Sequence, residues 1–223
     1  MAQQLGLALP SRPALGRDDF FVAPSNAIAA AMIDGWRTWA GRKLVLTGPA
    51  GSGKTHLTHV WATQSGARII QARDLARADI PDLARSCVAV ENVPLIADHP
   101  DAQTALFHLH NLVLAEGHSL LLTGTPPVAR WQLTLPDLTS RMQAAGAVAL
   151  EAPDDMLLTA VLAKLLADRQ LTPKPDLIPY LLPRMDRSFA AAGDLVARLD
   201  SASLAQKKPV TRSLAVQVLD NRT

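Results

Sequence analysis

The sequence lacks almost everything that would tie it to a membrane, a secretory route or a partner gripped by bulk charge. It has one cysteine, Cys87, so no disulfide can form within the chain, and a reducing compartment is expected. No apolar run approaches the length that spans a bilayer. The opening residues, Met-Ala-Gln-Gln-Leu-Gly-Leu-Ala-Leu-Pro, have no basic leader, so no signal peptide is expected. These absences make the cytoplasm the expected location, with no membrane role. The formal net charge is only +2, too little for nucleic-acid binding through charge alone. Aromatic residues make up 4% of the chain. What is present is 48% hydrophobic residues in 223, enough for one large domain or a domain with a small lid.

Residues 1–20 carry Gly6, Pro10, Pro13 and Gly16 without helical period and read as an extended tail. Ser25 is placed to cap a helix running through Trp39, with Ile28, Met32, Trp36 and Trp39 at helical spacing. Five short apolar runs follow, at 44–47, 68–71, 87–91, 120–123 and 148–150, alternating with helical patterns. That alternation predicts a five-stranded parallel sheet covered on both faces. After Pro153 the strand signals stop, and helices are expected near 154–168, after the Pro-rich 172–175, and at 188–205 and 212–219. The predicted organisation is therefore a tail at 1–20, an α/β domain at 21–152 and an all-α lid at 153–223.

The run Gly48-Pro49-Ala50-Gly51-Ser52-Gly53-Lys54-Thr55 lies between the first predicted strand and a helical pattern that starts at His56. Strand, glycine loop, Lys-Thr and helix form the context of a phosphate-binding P-loop. Backbone N–H groups can converge there without Cβ obstruction, and the helix N-terminus adds a favourable partial charge. Lys54 is expected to reach the β- and γ-phosphates, and Thr55 to hold Mg²⁺. The third strand ends in Glu91-Asn92. Glu91 can contact the metal or its waters. Asn92 stands where a second acid is expected, and an amide can orient water but cannot take its proton. Nucleotide binding with weak intrinsic hydrolysis is the expectation. Thr123 or Thr125, at the end of the fourth strand, could sense a γ-phosphate, or serve only the turn. Arg141 falls on the outer rim of the domain, where it could act on a nucleotide held by a neighbouring subunit or sit in a surface ion pair.

Together these residues resemble the DnaA/Hda branch of the AAA+ family, and the resemblance covers nearly the whole chain. Residues 19–26 (DFFVAPSN) resemble that family's opening motif, which implies that Phe21, Val22 and Asn26 lie against an adenine. Residues 48–57 (GPAGSGKTHL) match the family's P-loop through His56 and Leu57. Residues 138–141 (LTSR) resemble its arginine-finger box, and 199–203 (LDSAS) with 206–211 the end of its lid. The cofactor implied is ADP or ATP with Mg²⁺. The lid-like segment is the last in the sequence, and residues 72–86 are short. Both features lean toward the branch's small regulatory members. Gln4, Leu5, Leu7 and Leu9 resemble the peptide with which those members dock on the DNA polymerase III sliding clamp. The resemblance then implies a negative regulator of replication initiation. Arg141 would stimulate hydrolysis in the initiator DnaA, DNA would be met only through the clamp, and self-association is possible.

The sequence departs from the family's pattern at Asn92, at Asp137 in place of an arginine, and at Ala190, where a nucleotide-sensing arginine is usual; Arg187 lies three residues earlier. A self-sufficient P-loop ATPase and a DNA-binding initiator or loader paralogue are the alternatives. The histidines give no metal-ligand pattern, because His108 and His110 cannot share a helical face. Cys87, Trp36 and Trp39 read as core.

Overall fold

A computed structural model describes residues 16–17 and 20–220. The peptide proposed from Gln4, Leu5, Leu7 and Leu9 lies outside the described residues. Five strands, β1 (Lys43–Thr47), β2 (Arg68–Gln71), β3 (Val88–Glu91), β4 (Leu120–Gly124) and β5 (Gly146–Ala149), form one sheet in the order β2-β3-β4-β1-β5. All four neighbouring pairs are parallel. Their carboxyl ends therefore share one edge, and the loop after Thr47 emerges there between β4 and β5.

The strands are apolar on both sides because helices cover both faces. Val45, Val88, Val90, Leu120 and Leu122 point into one core with α4 (Pro100–Ala115) and α5 (Pro136–Gln143). Leu44, Leu46, Ala89, Leu121 and Val148 point into the other with α1 (Ala27–Asp34) and α2 (Lys54–Ser65). This is the period-2 alternation of a strand read on two buried faces. Each fully buried Leu or Val is worth about 1.5–3 kcal/mol. A third core, wholly downstream of residue 157, joins α6 (Asp155–Asp168), α7 (Leu177–Leu181), α8 (Phe189–Gln206) and α9 (Arg212–Asp220). Between β2 and β3 the short helix α3 (Ile80–Leu83) follows a 3₁₀ turn.

Two expectations about the local structure need correction. The first helix does not run from a Ser25 cap to Trp39. Asn26 holds the N-cap position, and the helix stops at Gly35, where Thr38 Oγ1 donates to the Gly35 carbonyl. Trp39 then folds back, donating from Nε1 to the Met32 carbonyl and stacking on Trp61 at 5.3 Å. The last strand is Gly146–Ala149 rather than 148–150. Its Gly-Ala-Val-Ala sequence has too little β-branched character to mark its own start. Asp154 and Ser188 cap α6 and α8, accepting from Leu157 N–H and Ala191 N–H.

Candidate nucleotide site

The loop 48–53 leaves β1 and closes on the N-terminus of α2. Gly53 is the N-cap at φ +97, and Gly51 sits at φ +70, both in the left-handed region. A Cβ on Gly51 would come within 2.4 Å of Ser188 Cβ, and one on Gly53 within 2.9 Å of the Phe189 ring. The glycines are thus required by backbone shape and by the close approach of α8. Among the described residues, the N–H groups of Gly51, Gly53, Lys54 and Thr55 have no acceptor. They are the unpaired donors of a loop and a helix start, turned toward one cradle. Lys54 is buried, and its Nζ donates to the Gly48 and Pro49 carbonyls at 2.7 Å each. Burial holds its pKa below the ordinary lysine value, and the nearby Glu91 charge pulls the other way. A buried ammonium facing unpaired N–H donors is the donor set of an anion site, and a nucleotide's phosphates fit it.

The loop opens into a cleft of about 1050 Å³ between the sheet edge and the helical lid. Ala50, Gly51, Gly53, Lys54, Thr55 and His56 line it from the loop side, and Phe20, Phe21, Asn92 and Thr125 from the rest of the α/β part. The lid contributes Leu157, Val161 and Leu165 from α6 and Phe189 and Asp194 from α8. The lid also touches the loop directly, since Phe189 N–H donates to the Gly51 carbonyl at 2.9 Å. Phe20 meets His56 edge-on at 5.2 Å and closes one wall.

Several expected residues play a different part. Asn26 is 3% exposed and outside the cleft; its Nδ2 donates to the Phe21 carbonyl, and its Oδ1 accepts from Ala23 N–H. It shapes the loop that presents Phe20 and Phe21. Val22 is exposed and does not line the cleft, while Phe20 does. Gly48, Pro49 and Ser52 support the loop from behind, with Ser52 Oγ buried and unpartnered. Thr123 is 1% exposed, and its Oγ1 accepts from Asn92 N–H, whereas Thr125 faces the cleft. Arg187 reaches Asp155 at 2.7 Å and the Pro153 carbonyl, and so does not supply the arginine missing at Ala190.

Glu91 ends β3 two strands away from the loop, with β4 between them. It is 5% exposed, and its Oε2 accepts from Gln71 Nε2 at 2.8 Å. Gln71 Oε1 in turn accepts from Asn92 Nδ2 at 2.9 Å. A carboxylate only accepts, so Gln71 must offer its NH₂ to Glu91 and its carbonyl to Asn92. Asn92 therefore gives its own NH₂ to Gln71 and leaves Oδ1 as its remaining acceptor. Asn92 lies in the left-handed region at φ +60, which asparagine tolerates well. Of the two residues expected to hold Mg²⁺, Thr55 lines the cleft, whereas Glu91 is buried and does not line it. Among the described residues, no group of three or more His, Cys, Asp or Glu forms a metal site of its own.

Arg141 is far from this cleft. Its carbonyl accepts from Lys43 Nζ at 3.2 Å, and Lys43 is the first residue of β1, whereas the P-loop follows the last. Among the described residues no carboxylate pairs with Arg141, and its guanidinium lies 4.9 Å from the centre of the Phe107 ring.

No helix among the described residues is long and apolar enough to cross a membrane. No protein-family model matches the sequence. Solved structures do resemble it. Domain III of the Thermotoga maritima replication initiation protein DnaA is 18% identical at a TM-score of 0.80, over 96% of this chain and 98% of that one. AMPPCP-bound DnaA from Aquifex aeolicus is 19% identical at 0.70, over 83% and 65%. The FIGL-1 AAA domain in complex with ADP is 13% identical at 0.63, over 86% and 76%. The chain therefore has the AAA+ fold in the form seen in DnaA domain III, a five-stranded parallel sheet followed by a helical lid.

Proposed function

We propose that this chain is an adenine-nucleotide-binding regulator of replication initiation of the Hda type, which activates ATP hydrolysis in a DnaA-like initiator. The carrying observation is the separation of two cationic sites. Among the described residues, Lys54 and the unpaired loop amides form a cradle for phosphate at one end of β1, and Arg141 stands without an acidic partner at the other. An arginine there cannot serve the chain's own cradle, but it can meet a nucleotide on a second molecule. The DnaA-like fold supports an initiator as that molecule. AMPPCP in the Aquifex aeolicus DnaA and ADP in the FIGL-1 domain support an adenine nucleotide in the cleft.

In this reading the chain's own nucleotide, ADP or ATP with Mg²⁺, braces the sheet edge against the lid. Lys54 and the amides of Gly51, Gly53, Lys54 and Thr55 hold the phosphates. Phe20 and Phe21 flank the base from one side, Leu157, Val161 and Phe189 from the other. Asn92 orients water without accepting its proton, so hydrolysis in this cleft is slow. Gln4, Leu5, Leu7 and Leu9 dock on the sliding clamp, through which the protein reaches DNA.

The test combines calorimetric titration with ADP and ATP with an ATPase assay containing a DnaA-type initiator, clamp and DNA. Nucleotide binding, together with stimulation that Arg141→Ala removes, is the expected result. Undiminished stimulation by Arg141→Ala overturns the trans mechanism. Rapid ATP turnover by the isolated protein, lost in Lys54→Ala, would make it a self-sufficient ATPase instead. Clamp binding that survives deletion of residues 1–9 removes the tail from the account.

A further inference from the structure

Arg141 is fixed from two directions. Its main-chain carbonyl accepts from Lys43 Nζ at 3.2 Å. Lys43 Nζ also lies 3.2 Å from His110 Nε2. Because the ammonium only donates, that ring nitrogen accepts, and His110 is neutral with its proton on Nδ1, facing Asn111 Oδ1 at 3.3 Å. Burial, Lys43 and Arg141 all hold the His110 pKa down, which agrees with this tautomer. The last turns of α5 are thereby tied to the start of β1 and to α4. The guanidinium, for its part, lies over the Phe107 ring at 4.9 Å, within cation–π range.

The choice of an aromatic neighbour has a chemical consequence. A carboxylate that held this guanidinium would occupy its N–H donors and cancel its charge. A ring face holds it through the π cloud and leaves every N–H unused. Among the described residues the Arg141 side chain donates no hydrogen bond, and Asp137, one turn earlier on α5, forms no ion pair with it. A long side chain aimed in advance also loses less freedom when it meets its target.

We infer that Phe107 is a positioning residue for Arg141: its ring aims the guanidinium, with all donors free, at a phosphate group carried by another molecule. This rests on the reading of Arg141 as a trans-acting group, and the experiment separates the two claims. Arg141→Ala, Phe107→Leu and Phe107→Tyr are compared in the stimulated ATPase assay with DnaA-type initiator, clamp and DNA, recording maximal rate and half-saturating concentration separately. Phe107→Leu keeps apolar bulk without the π face. It is expected to lower the maximal rate about 3- to 10-fold, the range of a cation–π contact, with half-saturation moving less than about 2-fold. Phe107→Tyr is expected to recover to within about 2-fold.

Wild-type rates in Phe107→Leu while Arg141→Ala is inactive overturn the positioning role alone. Full activity in Arg141→Ala overturns both claims. An equal loss in the Leu and Tyr variants assigns Phe107 to packing and also overturns the role. An independent readout needs no partner. The Arg141 Nε–H NMR resonance is expected upfield from the ring current and moves downfield in Phe107→Leu, while ADP affinity stays unchanged because Phe107 is outside the cleft. A resonance that does not move refutes the contact.

Discussion

At the carboxyl end of β1 a lysine is held by two carbonyls of its own loop; at the amino end an arginine rests on a ring, with no acidic partner among the described residues. The loop bearing Lys54 follows the last residue of this five-residue strand, and the Arg141 carbonyl meets the side chain of the first. The lysine is buried, and its charge is opposed by desolvation. The arginine is half-buried, and among the described residues its side chain donates no hydrogen bond. Both sites carry a cation, but only the first is wrapped by its own loop. Under the proposed function, this contrast separates holding a nucleotide from acting on one, and a single molecule completes only the holding.

The comparison breaks most sharply at the arginine. Arg141→Ala is expected to reduce stimulation of the partner's hydrolysis by about 10³-fold or more, the scale of an arginine finger, with no change in ADP affinity. Steady-state ATPase assays and calorimetry on the same preparation check both halves. Next is Asn92→Asp, which offers the cleft a proton acceptor on a backbone conformation that aspartate tolerates. Turnover by the isolated protein is expected to rise about 10²-fold, measured as phosphate release. Lys54→Ala removes the ammonium while leaving the Arg141 end intact. ADP affinity is expected to fall about 10- to 100-fold, the worth of a charged hydrogen-bonding group.

The smallest effect concerns pH. His110 binds its proton less readily folded than unfolded, because burial and two neighbouring cations oppose it. The unfolded chain therefore protonates first as pH falls. The stability linked to His110 is complete above the ordinary value of 6.5 and is lost as pH drops toward the folded value. His110→Gln, which still offers Lys43 an acceptor, is expected to flatten the decline in melting temperature on the acid side of pH 6.5.

The loop and its flanks are legible in the sequence because every layer of information agrees there: an apolar strand, glycines where the backbone turns left-handed, a lysine, then a helix. The opposite holds at β5, where Gly146 and the alanines around it carry no pattern. The aromatic wall of the cleft shows an intermediate case. Residues 20–26 point to a ligand-facing loop, but no periodicity tells which side chains of an irregular segment turn outward. Asn26 goes to the loop's own backbone, and Phe20 to the cleft. The lid wall is hidden for another reason. Helix α6 has two adjacent apolar stripes, Leu158, Leu162 and Leu166 in the lid core and Leu157, Val161 and Leu165 toward the cleft. Helical spacing alone cannot say which stripe faces which neighbour.

The chain of contacts from Glu91 through Gln71 to Asn92 sets a direction as well as a position. Asn92 keeps Oδ1 and one N–H without a partner among the described residues, so this side of the cleft offers both an acceptor and a donor. Which way that amide faces is decided by an acid it does not touch, relayed through Gln71.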